Sequence, residues 1–179
     1  GKLTLKEETV DLGAVLAHKV ALMKPMAKAN RTHIRIRQPA RPVFVFADEL
    51  QVQRMLMNLI SNAVKFTMDG SVTAVIERRE DGSAAVTIAD SGVGMSTEQL
   101  AHLGEPFYQA GDDMTRKTGG TGLGVCLVRE MIAMHGGEVV YDSIVGRGTT
   151  ACLIFPANRV LPAAEAENDP GASRQALAG

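Results

Sequence analysis

The chain has 179 residues, 45% of them hydrophobic and 22% charged, and its 19 Lys plus Arg against 20 Asp plus Glu leave a net charge of −1. That size suits one domain with its own core, and the charge balance excludes a domain-wide basic field for nucleic acid or anionic lipid, so any phosphate must be held locally. Two cysteines without a CxxC, no Trp, and apolar runs no longer than Val43–Ala47 or Ala151–Phe155 argue against a disulfide framework, a zinc site, a base-stacking platform, a signal peptide and a membrane span, and favour a reducing compartment.

Leu3–Val10 is short and mostly polar and reads either as a strand or as the end of a preceding element. Asp11 offers a cap to a helix in which Leu12, Val15, Leu16, Val20 and Met23 recur at helical spacing as far as Asn30, and Pro25 is expected to kink or interrupt it. His33–Arg37 and Val43–Ala47 read as strands between Pro-containing breaks. Asp48 then caps a helix from Glu49 to Phe66, whose apolar set Val52, Met55, Leu56, Leu59, Ile60 and Ala63 keeps phase for about five turns.

After the Asp69-Gly70 turn, Ser71–Arg79 and Ala84–Ala89 read as a hairpin joined through Glu80-Asp81-Gly82. Asp90–Met95 is a glycine-punctuated turn, Thr97–Leu103 a short helix, and Gly104–Gly122 polar enough to be a mobile loop. Leu123–His135 returns to helix, with Leu123, Leu127, Met131 and Met134 as its stripe and Gly136-Gly137 as its stop. Glu138–Ser143 and Thr149–Phe155 read as strands around Gly146-Arg147-Gly148, and the composition from about Leu161 predicts a disordered tail. Strand runs mixed with three substantial helices predict an α+β fold with helices on one sheet face.

Four segments can carry chemistry. On the second long helix, Asn58, Asn62 and Lys65 fall within roughly 60° of one another, on a polar ridge off the core. Two carboxamide oxygens one turn apart can hold a hard cation or its waters, and Lys65 can meet a phosphate, although a solvated helix face has the same pattern. Asp90-Ser91-Gly92-Val93-Gly94 ends a strand, where a carboxylate can accept from an exocyclic amine and glycines let a flat ring approach, or where a tight turn is needed. Gly119 to Gly124 runs into a helix whose bare amides can cradle phosphate or serve only as a hinge; it follows a polar loop where a dinucleotide fold requires a strand, and no GxxxxGK[ST] is present. Gly146-Arg147-Gly148-Thr149 is by itself a hairpin turn.

In this order, and with Glu105-Pro106-Phe107-Tyr108 between them, the segments resemble the catalytic ATP-binding domain of sensor histidine kinases, within the wider group of gyrase, mismatch-repair and chaperone ATPases. The resemblance implies a two-layer α/β sandwich, a mixed sheet of about five strands backed by three helices, with a mobile ATP lid. It implies ATP and magnesium as ligands. Asn62 is then the magnesium ligand with Asn58 in support, Lys65 a phosphate contact, and Phe66 an aromatic near the adenine. Asp90 accepts from the adenine amine over Gly92 and Gly94, Phe107 anchors the lid, Arg116 reaches from it, Gly120, Thr121, Gly122, Leu123 and Gly124 wrap the phosphates, and Gly148 with Thr149 closes the base pocket.

Two departures, Met95 and Val125-Cys126, are conservative in size and polarity. A larger one is that none of His18, His33, His102 or His135 stands in a phosphoacceptor segment. The resemblance therefore implies a piece in which residues 1–10 link to a dimerisation and phosphoacceptor hairpin, residues 11–157 form the catalytic domain and residues 158–179 a disordered tail. It implies cytoplasmic placement, under a parent that can be membrane-anchored, and a response regulator as downstream partner. The piece itself is expected to be a monomer of a homodimeric parent. A nucleotide-binding pseudokinase and a hydrolytic or serine-directed relative are the alternatives.

Overall fold

The computed structural model describes residues 4–105, 108 and 122–162. In chain order the elements are β1 (Glu7–Asp11), α1 (Leu12–Ala29), β2 (His33–Arg37), β3 (Phe44–Asp48), α2 (Glu49–Lys65), β4 (Ser71–Arg78), β5 (Ala84–Asp90), α3 (Thr97–Ala101), α4 (Gly124–Met134), β6 (Glu138–Ile144) and β7 (Gly148–Phe155). Five strands form one mixed sheet in the order β2-β4-β5-β7-β6, with β2 parallel to β4 and every other pair antiparallel. The expected α+β layering is present.

The sheet buries one face. Val72, Ala74 and Ile76 of β4, Val86 and Ile88 of β5, and Ala151, Leu153 and Phe155 of β7 are buried together with the apolar sides of α1, α2 and α4. α1 packs on β2, α2 on β5, and α4 on β6 and β7. The two long helices run side by side, linked by Lys19 Nζ donating to Gln53 Oε1 at 2.8 Å and Asn30 Nδ2 donating to the Val64 carbonyl at 2.8 Å.

α2 follows its sequence pattern closely, because all six of its predicted apolar positions are buried and Asp48 caps it by accepting the Gln51 N–H. α1 departs in one respect, since it continues through Pro25 as a single helix. Pro25 and Ala21 are both exposed, so the carbonyl that proline leaves without its helical donor faces solvent, where water can satisfy it.

On α4 the buried residues are Val128, Met131 and Ile132, whereas Leu127 and Met134 of the expected stripe are exposed. The pair Val128 and Ile132, one turn apart, turns the helix so that the adjacent leucine faces outward. Val43–Ala47 was read as a strand with no partner assigned. The observed β3 pairs antiparallel with β1, outside the main sheet.

Of the two readings of Leu3–Val10 the structure has the strand. Residues 7–10, expected to lie in a linker, are most of β1, and Lys6 N–H reaches the Asp48 carboxylate at 2.9 Å. Residues 158–161, expected to begin the tail, pack on the domain: Ala157–Arg159 forms a 3-10 turn, Arg159 pairs with Glu7, Val160 bridges Val45, and the Leu161 N–H meets the Phe44 carbonyl at 2.9 Å. Residues 163–179 lie outside the described part.

One buried group is out of keeping with this packing. The Tyr141 hydroxyl on β6 has no hydrogen-bond partner among the described residues, and burial pushes the phenol up to about 12. An unpaired buried hydroxyl costs about 1–3 kcal/mol. Tyr141→Phe should therefore leave the unfolding free energy unchanged or raise it by up to about that amount in urea denaturation. A loss of more than about 1 kcal/mol would show that the hydroxyl has a partner.

Candidate functional site

Four backbone segments converge at one end of the sheet: the later turns of α2, the end of β5, the start of β7 and the first turn of α4. Asn58, Asn62 and Lys65 are all half-buried on α2. Asn58 Nδ2 donates to the Arg54 carbonyl at 3.0 Å, which turns Oδ1 toward α4. A Cβ added at Gly124 would sit 2.6 Å from that oxygen, so Gly124 is the residue that allows α4 to begin against Asn58. The N-cap of α4 is Leu123 and makes no side-chain cap bond, so among the described residues the first amides of the helix have no capping side chain.

Phe66 closes α2, its N–H donating to the Asn62 carbonyl at 3.0 Å, and the Lys65 ammonium lies 5.0 Å from its ring centroid. The Phe66 carbonyl in turn accepts the Val93 N–H at 3.2 Å. The turn after β5 thus lies on the end of α2, and Gly92 sits so close that any side chain there would collide with the Phe66 carbonyl.

Asp90 is the most constrained side chain. Its Oδ1 accepts the Gly92 N–H at 2.9 Å and the Thr149 N–H at 3.2 Å, and its Oδ2 has no partner among the described residues. Gly148, at φ +106°, passes against the Asp90 carbonyl where only glycine fits. Thr149 is held too, because its hydroxyl is 2.9 Å from Ser143 Oγ, which also takes the Met95 N–H at 2.8 Å. Gly94 completes the turn against the Ile144 carbonyl.

The structure therefore brings Asn58, Asn62, Lys65, Phe66, Asp90, Gly92, Gly94, Gly122, Leu123, Gly124, Gly148 and Thr149 into these four segments. Phe107, Arg116, Gly120 and Thr121 lie outside the described residues. Sequence reasoning missed Ser143, which ties the Met95 end of the turn to Thr149. The signal was available in the hairpin around Gly146, whose register sets Ser143 opposite Thr149. A shallow groove along α1 and α2, lined by Lys19, Leu50, Gln53, Arg54, Met57, Asn58 and Ser61, shares only Asn58 with the site.

Burial pushes the Asp90 carboxyl up, and the N–H groups of Gly92 and Thr149 pull it back only in part, so it titrates above the ordinary 3.8. A raised folded value means a stability contribution that is complete below 3.8 and is lost as pH rises through the folded value. Asp90→Asn keeps an oxygen for both backbone donors and has no charge to bury. Thermal unfolding should find the variant more stable than the parent at about pH 7, with the gap closing as pH falls toward the ordinary carboxylate range. A variant less stable than the parent at neutral pH would contradict this electrostatic account.

The chain is similar to known proteins. Residues 47–159 match the family described as histidine kinase-, DNA gyrase B-, and HSP90-like ATPase. The chain is 38% identical over 160 residues to the non-motile and phage-resistance protein of Caulobacter vibrioides, covering 87% of this chain and 19% of that protein. It is 35% identical over 155 residues to the histidine protein kinase DivJ of the same organism, covering 87% and 26%. ShkA, solved full-length in complex with AMPPNP, superposes with a TM-score of 0.77 at 28% identity over 87% of this chain and 32% of that one. The catalytic domain of the histidine kinase ThkA superposes with a TM-score of 0.73 at 19% identity, over 86% and 97%, and supports the fold alone. The chain spans less than a third of the curated relatives cited here. On the match across residues 47–159, the chain belongs to the histidine kinase-, DNA gyrase B- and HSP90-like ATPase family.

Proposed function

We propose that this domain, from β1 through Val160, binds ATP and is the catalytic domain of a sensor histidine kinase, which passes the γ-phosphate to a histidine on a separate dimerisation hairpin. The observation that carries this reading is the Asp90 carboxylate, with one oxygen fixed by two backbone donors and the other free beside two glycines. A rigid acceptor next to bare backbone suits a planar base with an exocyclic amine. Adenine presents that amine; guanine presents a carbonyl at the same edge, which the carboxylate would repel.

From that anchor the triphosphate would extend toward α2 and α4. Lys65 and the amides of Gly122 to Gly124 would take phosphate oxygens, together with Gly120, Thr121 and Arg116, and Phe107 would anchor the lid. Among the described residues no group of three or more His, Cys, Asp or Glu could form a carboxylate cage for a metal. The oxygen set fits magnesium held by the Asn62 carboxamide, with Asn58 beside it, water and the phosphates themselves. Magnesium, when bound, would neutralise phosphate charge.

Phosphoryl transfer asks the protein chiefly to position the γ-phosphate in line and to offset its charge. The attacking imidazole comes from the hairpin. Nothing at Asn58 can activate water instead, because a carboxamide does not accept a proton at neutral pH, so hydrolysis should be slow. The downstream partner is a response regulator, the whole protein a homodimer, and nucleic acid no partner. The domain works on the cytoplasmic side, and no described helix is long and apolar enough to cross a membrane.

The test is to mix the domain with a separately expressed phosphoacceptor hairpin and γ-labelled ATP. Acid-labile, base-stable label on the hairpin is expected, and Asn62→Ala should abolish it while the fold persists. Tight nucleotide binding with no label, or rapid phosphate release, would replace this reading with a binding module or a hydrolase. In the same assay, competition by guanine nucleotides should be weak for the parent and stronger for Asp90→Asn, and unchanged selectivity would remove Asp90 from base recognition.

A further inference from the structure

At the ends of α2 and α4 remote from the site, one buried imidazole joins the two helices. His135 follows the last residue of α4, is fully buried, and meets Phe155 edge-on with ring centroids 6.2 Å apart. Its Nδ1 lies 2.7 Å from the Met131 carbonyl oxygen and must carry the proton. Its Nε2 accepts the backbone N–H of Asp48, the N-cap of α2, at 3.1 Å. Both nitrogens are therefore spent, and the ring is held as the neutral Nδ1–H tautomer. Asp48 is tightly held as well: burial alone would push its carboxyl up, but the N–H groups of Lys6 and Gln51 bring it below the ordinary value.

The spacing gives this bond a consequence. Asp48 sits beside His135 and Asn58 beside Gly124, so the helices are antiparallel. Ten residue steps separate Asp48 from Asn58 and eleven separate Gly124 from His135. At about 1.5 Å per residue the two spans agree to within one step, so the remote bond and the approach of Gly124 to Asn58 belong to one register of α4 against α2. A slip of one residue would move α4 by about 1.5 Å and turn it by about 100°. Leu123 or Val125 would then face Asn58, where even a Cβ on Gly124 would be 2.6 Å from Oδ1.

We propose that His135 is a positioning residue for the nucleotide site, fixing the register of α4 against α2 and thereby placing the first amides of α4 beside the Asn58 carboxamide. The inference rests on the reading above that phosphates lie between those groups. A residue that merely filled space could be replaced by any side chain of similar volume. A residue that sets register through two hydrogen bonds can be replaced only by one that donates to Met131 and accepts from Asp48.

His135→Gln can do both and His135→Phe neither, while Ile76→Val, in the core on β4, lowers stability without altering a residue of either helix. Magnesium-dependent binding of a non-hydrolysable ATP analogue is measured by calorimetry at a temperature where circular dichroism shows each protein folded. Imidazole nitrogen shifts are recorded on the parent. The expected result is a loss of at least about tenfold in affinity for His135→Phe, recovery to within about threefold of the parent for His135→Gln, no change for Ile76→Val, and a parent ring protonated at Nδ1 and bare at Nε2.

A folded His135→Phe that binds as tightly as the parent overturns the proposal, as does a His135→Gln no better than His135→Phe. If the Phe variant does not fold, the Gln variant and the nitrogen shifts decide: affinity tenfold below the parent, or a proton on Nε2, overturns it. A parent that binds no analogue defeats the proposed function instead, and the nitrogen shifts still judge the imidazole's bonds.

Discussion

The two backbone N–H groups that hold one oxygen of Asp90 are the interaction on which the site depends. They come from Gly92, on the turn after β5, and from Thr149, at the start of β7, so a single carboxylate oxygen fixes two strand ends relative to each other. The cost is a charge kept partly out of water, visible in the raised titration of the group. The benefit is a second oxygen held still. A hydrogen-bond acceptor that cannot rotate away loses little entropy when a ligand arrives, and preorganisation of that kind is where selectivity between similar bases originates. Around it, Gly92 and Gly148 are small because neighbouring carbonyls occupy the space a side chain would need, and Ser143 braces Thr149 from behind.

The helical layer serves the same end at longer range. α2 is anchored to the sheet by its apolar side, which frees the opposite flank to carry Asn58, Asn62 and Lys65. α4 is anchored by Val128, Met131 and Ile132 and begins with glycine where it meets that flank. Hydrophobic packing alone tolerates sliding, since apolar contact is non-directional. Polar contacts at Gln53, Val64 and Asp48 add direction, and they do so at points spread along α2.

Much of this was legible in the sequence where a pattern is local. The bounds of α2 match its periodicity to within one residue, since an amphipathic stripe bounded by Asp48 encodes both helix and start. The glycine turns at Gly92 and Gly148 were readable for the same reason. What depended on distant neighbours was not. The apolar run at Val43–Ala47 indicates a strand but not its partner, and β1, over thirty residues away, supplied it. The phase of α4 was misread because Leu127 and Val128 are both apolar and only the packed sheet distinguishes them. Pro25 was read as a kink or an interruption because the exposure of Ala21 and Pro25 cannot be known from a local window. The bond between His135 and Asp48 joins residues 87 apart, and no spacing in the chain announces it.

The central claim is that the free oxygen of Asp90 recognises adenine. A crystal structure of the domain with magnesium and a non-hydrolysable ATP analogue tests it most directly. The account predicts the exocyclic amine within about 2.7–3.2 Å of Asp90 Oδ2 and the phosphates directed toward the first turn of α4. Nucleotide seated elsewhere, for instance in the groove between Lys19 and Arg54, with Asp90 Oδ2 facing only water, would contradict it.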